Sequence, residues 1–372
     1  VSTEKTSNGT YTDYLVSTGN TSLRCRGDSN FVGSIDNVSV KEYITETNTP
    51  RLDYSTGAEA FLLEPQSVNL FQYSNNFSVS NWVKQTGIIP TYNTTETLSP
   101  DGTYNATKLV GNGNAGIYGQ ITNLSGVVSR SVYLKSVTGT TTARFRDPNT
   151  SAISPISLTI TNEWQRFEMI GDNGSSIQGL WIDDITSDGL YIYGAQLEQA
   201  NSVGYSGEYA TSYIPTSGTT VTRNQELCYD ATPVINSEEG VLYAEIAALA
   251  DDETNRAITL NNGLPSDYVM IRLNSQNSNW IYTRVNVGGS LIYAHINTNN
   301  VITDFNKIAI RYQDNNFATF INGVKVHSQL SGSTFSANTL TDLSFNNYNV
   351  GDFFGNTKGL KYYPKALSDV EL

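Results

Sequence analysis

"GLKYYPKALSDVEL" (Gly359–Leu372) ends the chain, and its reading decides the fold of everything near it. The first half is an aromatic strand. Pro364 then stops any ladder, because it has no N–H to donate. "KALSDVEL" follows as a single turn, with Ser368 as its N-cap and Asp369 and Glu371 near its positive end. A strand that stops this way is predicted to return beside the strand that opens its own domain. That strand is "EEGVLYAEIAAL" (Glu238–Leu249). Its "YAEIAALADDE" portion could start a helix, but Gly240-Val241-Leu242-Tyr243 and the surrounding pattern favour a strand.

Outward from this clasp, helical periodicity is nearly absent. Short alternating runs such as "SRSVYLKSV" (Ser129–Val137), "KIAIRYQ" (Lys307–Gln313) and "FATFINGVKVHS" (Phe317–Ser328) are separated by Gly/Asn/Asp/Ser turns. This is the pattern of all-β sandwiches. Asn322-Gly323, set between two alternating runs, predicts a type I′ hairpin, whose two central residues need positive φ. "NFVGSIDNVSVKEY" (Asn30–Tyr43) and "SDGLYIYGAQLEQA" (Ser187–Ala200) each read as the closing strand of a jelly-roll module, paired with that module's first strand. The first comes too early to close a sandwich inside this chain. The expected organisation is therefore the C-terminal part of an upstream β-sandwich over residues 1–48, a jelly-roll module over 49–222, a linker over 223–231 and a second sandwich over 232–372. "YATSYIPTSGTTVTRNQE" (Tyr209–Glu226) is a strap or linker, not a core element. The predicted fold class is all-β, as tandem antiparallel β-sandwiches.

Composition narrows the function classes. The 372 residues suffice for two or three domains, only 15% are charged, and 23 are tyrosines. A net charge of −13 leaves no basic patch to neutralise phosphates, so nucleic acid is not an expected partner. No apolar run reaches the roughly 18 residues of a membrane span, so no membrane insertion is expected. The chain opens on Val1, read as a sign of processing, trimming or membership of something longer. Cys25 and Cys228 have no motif spacing and are expected to be free.

Two sets of motifs resemble known families. "PRLDYSTG…FLLEPQSVNLFQYSNNF" with "GLYIYGAQLE…YATSYIPTSGTTVTRN" resembles a module of bacteriophage and prophage tail and fibre proteins. "EEGVLYAEI…FNKIAIRY…FATFINGVKV…GLKYYPKALSDVEL" resembles the concanavalin-like sandwich of laminin-G and pentraxin type, whose last strand is followed by a short LS-x-x-E-[LI] turn. The resemblance implies a jelly roll followed by a concanavalin-like domain in a virion surface fibre or spike. It also implies a homotrimer, other virion proteins as partners, and a bacterial surface polysaccharide as the bound glycan.

No catalytic signature stands out, and the chain is not expected to be an enzyme. The E-x-D-x-x-E string of concanavalin-like hydrolases is absent, as are G-x-S-x-G, HExxH and the P-loop. In "WIDDITSD" (Trp181–Asp188), adjacent aspartates on a strand would face opposite sides, so they read as lining a loop. A polysaccharide depolymerase or lyase is the alternative, with His295, Tyr293 and Arg284 as its parts; a purely structural decoration protein is the other. The sugar-contact candidates are Trp280 and Tyr282, read as sharing one strand face, and Tyr293 and His295, sharing another. The competing assignment puts these aromatics in the core, where Trp82 and Trp164 are also placed. Asp251, Asp252 and Asp352 are candidate ligands for a structural Ca²⁺, against the plainer reading of turn aspartates. Arg26-Gly27-Asp28 reads as turn chemistry, not an integrin motif.

Overall fold

The computed structural model describes residues 31–34, 51–54, 57–149, 153–201, 205–228, 232–274, 277–347 and 351–372. The chain divides into two compact units, Val1–Thr47 and Asn48–Leu372, and every described strand belongs to the second. The upstream module, the Asn30–Tyr43 strand, Cys25 and the Arg-Gly-Asp tripeptide fall outside the described residues, apart from residues 31–34.

The described residues contain no helix. In chain order the first strands are β1 (Arg51–Asp53), β2 (Ala60–Leu63) and β3 (Ser67–Asn69). The central module follows with β4 (Trp82–Lys84), β5 (Ile89–Thr91), β6 (Thr107–Val110), β7 (Ile117–Thr122) and β8 (Val128–Ser136). It continues through β9 (Thr141–Arg146), β10 (Ile156–Ile160), β11 (Gln165–Gly171), β12 (Ile177–Asp183) and β13 (Leu190–Gln199), and β14 (Val221–Arg223) ends the strap. The C-terminal sandwich is built from β15 (Glu239–Ala248), β16 (Arg256–Asn261), β17 (Tyr268–Leu273), β18 (Ile281–Val287) and β19 (Ser290–Asn297). Its remaining strands are β20 (Asn306–Gln313), β21 (Phe317–Ile321), β22 (Val324–Gln329), β23 (Asp342–Ser344) and β24 (Gly355–Tyr363).

In the central module, sheet β10-β9-β12-β7-β4 faces sheet β11-β8-β13-β6-β5, all antiparallel, in a jelly roll. The core between them takes alternate residues from both, such as Val132 and Leu134 from β8 and Leu180 and Ile182 from β12. Trp82 is buried there, its ring 4.8 Å from that of Phe71. β13 meets the module's opening segment, as expected of a closing strand: Leu70 N donates to Leu197 O at 2.8 Å and Ala195 N to Ser74 O at 2.9 Å. It runs through the middle of its sheet, between β8 and β6. Arg130, wholly buried, ties the two sheets together: Nη2 donates to Asp147 Oδ2 at 2.7 Å and Nε to the Gly179 carbonyl at 2.7 Å. A buried charge of this kind is tolerable only when paired and hydrogen-bonded. Here it sets the position of β12. The strap crosses the outer face of the second sheet, where Thr211 O accepts from Arg166 and Gln196, and β14 pairs with β3.

The C-terminal sandwich packs a seven-stranded sheet, β1-β2-β24-β15-β20-β21-β22, on a five-stranded one, β19-β18-β17-β16-β23. The clasp forms as predicted: β24 pairs antiparallel with β15, Tyr243 opposite Lys361. Ser368 N and Oγ both donate to Glu371 Oε2, at 2.8 and 2.7 Å, so the tail is one capped turn. Asp369 ion-pairs with Arg311 at 2.8 Å and with Lys325. Asn322 (φ 53°) and Gly323 (φ 78°) make the expected hairpin turn.

One assignment changes. Residues 51–63, read with the jelly roll, extend the C-terminal sheet: β2 pairs with β24, and Leu63 enters the C-terminal core. Without β2 the outer edge of β24 would leave a row of backbone groups unpaired. Behind this graft, Glu64 and Glu226 are buried and share Arg51, and Arg223 meets Glu64 at 2.8 Å.

Candidate functional site

The four aromatic and imidazole candidates do not form one surface. Strand pairing places Tyr293 opposite Val285 and His295 opposite Thr283, all facing the interior of the sandwich. Tyr293 is 1% exposed, its hydroxyl 2.8 Å from Thr319 Oγ1 and its ring stacked 5.8 Å from Phe317. Tyr282, one position out of phase, lies on the outer face with Tyr268 and Met270, the Arg272 guanidinium 4.7 Å from its ring centre. Trp280 precedes β18 and is half-buried, not on the strand with Tyr282. Arg284 also points outward, 5.8 Å from the Tyr268 ring. It is therefore on the opposite side of the sheet from Tyr293 and His295, and the lyase trio is not assembled. Trp164 is half-exposed instead of core, its Nε1 donating to the Leu98 carbonyl at 2.7 Å.

The three aspartates also stay apart. Asp252 and Arg256 are a fully buried bidentate pair, at 2.6 and 2.8 Å. Burial opposes ionisation of Asp252, but the hydrogen bonds and charge of Arg256 outweigh it and hold the carboxyl below its ordinary range. Asp251 accepts from the Asn279 amide at 2.9 Å. Asp352 sits in an isolated bridge with Asn346, its carboxyl pushed up by burial. Among the described residues no three metal-ligating side chains converge. The turn-aspartate reading fits what is seen.

The constellation best suited to binding lies elsewhere, on the outer face of the β10-β9-β12-β7-β4 sheet. Core residues of β12, Leu180 and Ile182, alternate with Trp181 and Asp183, which face outward. Phe145 between Arg144 and Arg146 gives β9 the same phase. Register then sets Trp181 beside Arg146 on one side and Tyr118 on the other, and Asp183 beside Arg144. The Arg146 guanidinium stacks 3.6 Å from the Trp181 ring centre, and Tyr118 tilts against the indole at 5.3 Å. Asp183 Oδ2 receives both arginines, Arg144 Nη2 at 3.0 Å and Arg146 Nε at 3.3 Å; the second is an ion pair without hydrogen-bond alignment. Arg144 also reaches Asp184 at 3.2 Å. Asp183 is thus the last residue of a strand rather than a loop residue, and Asp184 turns away with φ 55°.

Glycine makes room for the indole. A Cβ at Gly116 would lie 2.7 Å from Trp181 Nε1, so the ring occupies space a side chain would fill. Nε1 itself has no hydrogen-bond partner among the described residues. The array offers aromatic surface and guanidinium donors on a rigid sheet, the groups that meet C–H faces and hydroxyls of a saccharide, with the buried Asp183 carboxylate beneath them holding both arginines in place. Its sequence signal is the i, i+2 pairs Arg144/Arg146 and Trp181/Asp183, which alternation places on one face of each strand.

No protein-family model matches the chain, and no curated protein matches it. Among solved structures, the chain is similar to the N-terminal CBM22-1–CBM22-2 tandem domain of Paenibacillus barcinonensis Xyn10C, with 11% identity and a TM-score of 0.27 over 83% of this chain and 93% of that one. It is also similar to domains LG4-5 of the mouse laminin alpha1 chain, with 8% identity and a TM-score of 0.24 over 68% and 86%. Likenesses this slight decide nothing about function, and the fold rests on the strand pairing.

Proposed function

We propose that this chain is a non-catalytic glycan-binding protein whose ligand surface is the Tyr118–Trp181–Arg146 face with Arg144 and Asp183. The observation that carries it is the stacked Arg146–Trp181–Tyr118 row on an open sheet face, where nothing in the core requires an indole. Sugars need such flat aromatic surface together with bidentate polar groups, and rigid strands hold both in place. Arg144 and Arg146 against Asp183 and Asp184 leave the face without net charge, which suits neutral hexose hydroxyls. The resemblance to phage tail and fibre modules supports a place on a virion surface, in a homotrimer with other virion proteins, attaching to bacterial polysaccharide.

Glycan-array binding by the purified chain, repeated with Trp181→Ala, tests the reading. Loss of at least tenfold in affinity, about 1.4 kcal/mol, is expected. Unchanged binding by Trp181→Ala would sink this face as the site. Release of reducing ends or unsaturated uronates from a bound polysaccharide would overturn the non-catalytic assignment.

A further inference from the structure

The seven-stranded sheet carries a second cleft on its outer face, far in sequence from the Trp181 array. It has a volume of about 280 Å³ and is lined by Tyr243, Lys307, Ala309, Phe320, the Asn322-Gly323 turn and Leu372. Strand register explains its floor. Tyr243 lies opposite Ala309 and Ala309 opposite Phe320, so a small residue separates two rings in one row across three strands. The row behind this floor, Val241, Arg311 and Ala318, is closed off by the tail, where Leu367 and Leu372 pack on the same apolar cluster. Asp369 pins that tail through Arg311 and Lys325, and Arg311 Nη1 also donates to Leu367 O at 2.9 Å. The wall formed by Leu372 is therefore held in place.

Charge gives the cleft a preference. The protein carries −13 overall, yet this face gathers Lys307, Arg311, Lys325 and Lys361. Arg311 and Lys325 are consumed by Asp369, and the Lys361 ammonium lies 5.8 Å from the Tyr243 ring centre. Lys307 is exposed at the rim and forms no ion pair among the described residues. Of the carboxylates on this face, Asp369 is spent on Arg311 and Lys325 and Glu239 accepts from Gln313 and the Ala366 amide, while Glu245 is the register partner of Lys307 and accepts from the Tyr243 hydroxyl at 3.5 Å. A volume just below the roughly 300–1,000 Å³ of drug-sized sites suits a single sugar ring.

We infer that this cleft is a second saccharide site, selective for an acidic monosaccharide unit. The sugar's C–H face would lie on Tyr243 and its carboxylate on the Lys307 ammonium. The inference does not depend on the Trp181 face: either site could exist without the other.

Titration of the full chain at low ionic strength with methyl β-D-glucuronide and methyl β-D-glucoside, followed calorimetrically, tests it. The glucuronide should bind at least tenfold more tightly. Lys307→Gln, at an exposed position that leaves folding intact, should erase that difference, and Tyr243→Ala should weaken both ligands. Trp181→Ala should leave the glucuronide preference unchanged. Equal affinity for the two glycosides, or a preference that survives Lys307→Gln, would overturn the proposal. So would sulfate displacing the glucuronide at equal concentration, since that would mark a bare anion site with no sugar recognition.

Discussion

His295 and His327 stack face to face across one lateral edge of the C-terminal sandwich, ring centroids 4.9 Å apart and planes 10° from parallel, one imidazole from each sheet. The neutral rings are compatible at this distance; two imidazolium ions would repel. Around them stand Tyr293, whose ring lies 5.6 Å from His327, and the Thr283–Thr319 hydroxyl pair; among the described residues no carboxylate is bonded to either ring. Burial first, and then the charge of His327, lower the His295 pKa below its ordinary value of about 6.5, and His295 Nε2 has no hydrogen-bond partner among the described residues. A lowered histidine pKa means that the unfolded chain binds the proton more readily than the folded one. Stability is thus complete above about pH 6.5 and falls as the pH drops through that value toward the folded-state pKa. Thermal unfolding measured from pH 7.5 to 5 should show this loss, and His295→Phe should flatten it by a few degrees. An identical pH profile in the variant would show that the stack carries no linkage.

Asp252 and Arg256 test the calcium reading directly. Removing one partner of a wholly buried ion pair leaves an uncompensated charge, at a cost of about 3–5 kcal/mol. Asp252→Asn should therefore lower the denaturation midpoint by a corresponding amount. If the aspartates serve this pair and local turns, chelation of the wild-type chain with EDTA should leave its melting temperature where it was. A fall on chelation that added calcium restores would return the loop carboxylates to the status of metal ligands.

What was legible in the sequence follows from the range of the interactions involved. Pro364, Ser368 and Asn322-Gly323 act through their own backbone, so the tail and the hairpin could be read locally. Alternation correctly put Tyr293 and His295 on one face, but alternation has no sign, and it could not tell the interior from solvent. Trp164 failed for the same reason. The Trp181–Arg146–Tyr118 row depends on the register between β12, β9 and β7, which is set by Arg130, the strand connections and the glycines rather than by any short string. "AFLL" of β2 is too short and too uniformly apolar to say which of two sheets it will join.

The grafting of β2 onto β24 makes a spatially resolved prediction. Leu63 is 2% exposed and packs in the C-terminal core, although it precedes the entire jelly roll in sequence. Leu63→Ala should cost about 2–5 kcal/mol, the range for truncating a buried leucine. Native-state hydrogen exchange should locate the loss in β15, β20 and β24, with β7 and β12 keeping their protection. Loss of protection confined to the central module would mean that the graft does not stabilise the C-terminal sandwich.

Gly116 separates the geometry of the Trp181 face from its composition. It precedes β7, where a Cβ would stand 2.1 Å from the Ile182 carbonyl oxygen, 2.7 Å from Asp183 Cα and 2.7 Å from Trp181 Nε1. The first two are backbone atoms that cannot rotate away, so Gly116→Ala must part the ends of β7 and β12. Overpacking of this kind costs about 1–3 kcal/mol. It also moves the indole relative to Arg146 without removing any group that could contact a sugar. The variant should melt earlier and bind glycan more weakly at a temperature where it is still fully folded. Gly116 does not have a positive φ, so its strain is purely steric; Gly126→Ala, at φ +88° with no described atom within 4 Å of the added Cβ, serves as a variant destabilised through its backbone alone, away from this face. It should lower the melting temperature while leaving glycan affinity intact. If Gly116→Ala also spares affinity, the placement of Trp181 over the glycine does not matter for binding, and the exposed edge of Tyr118 becomes the part of the face to pursue.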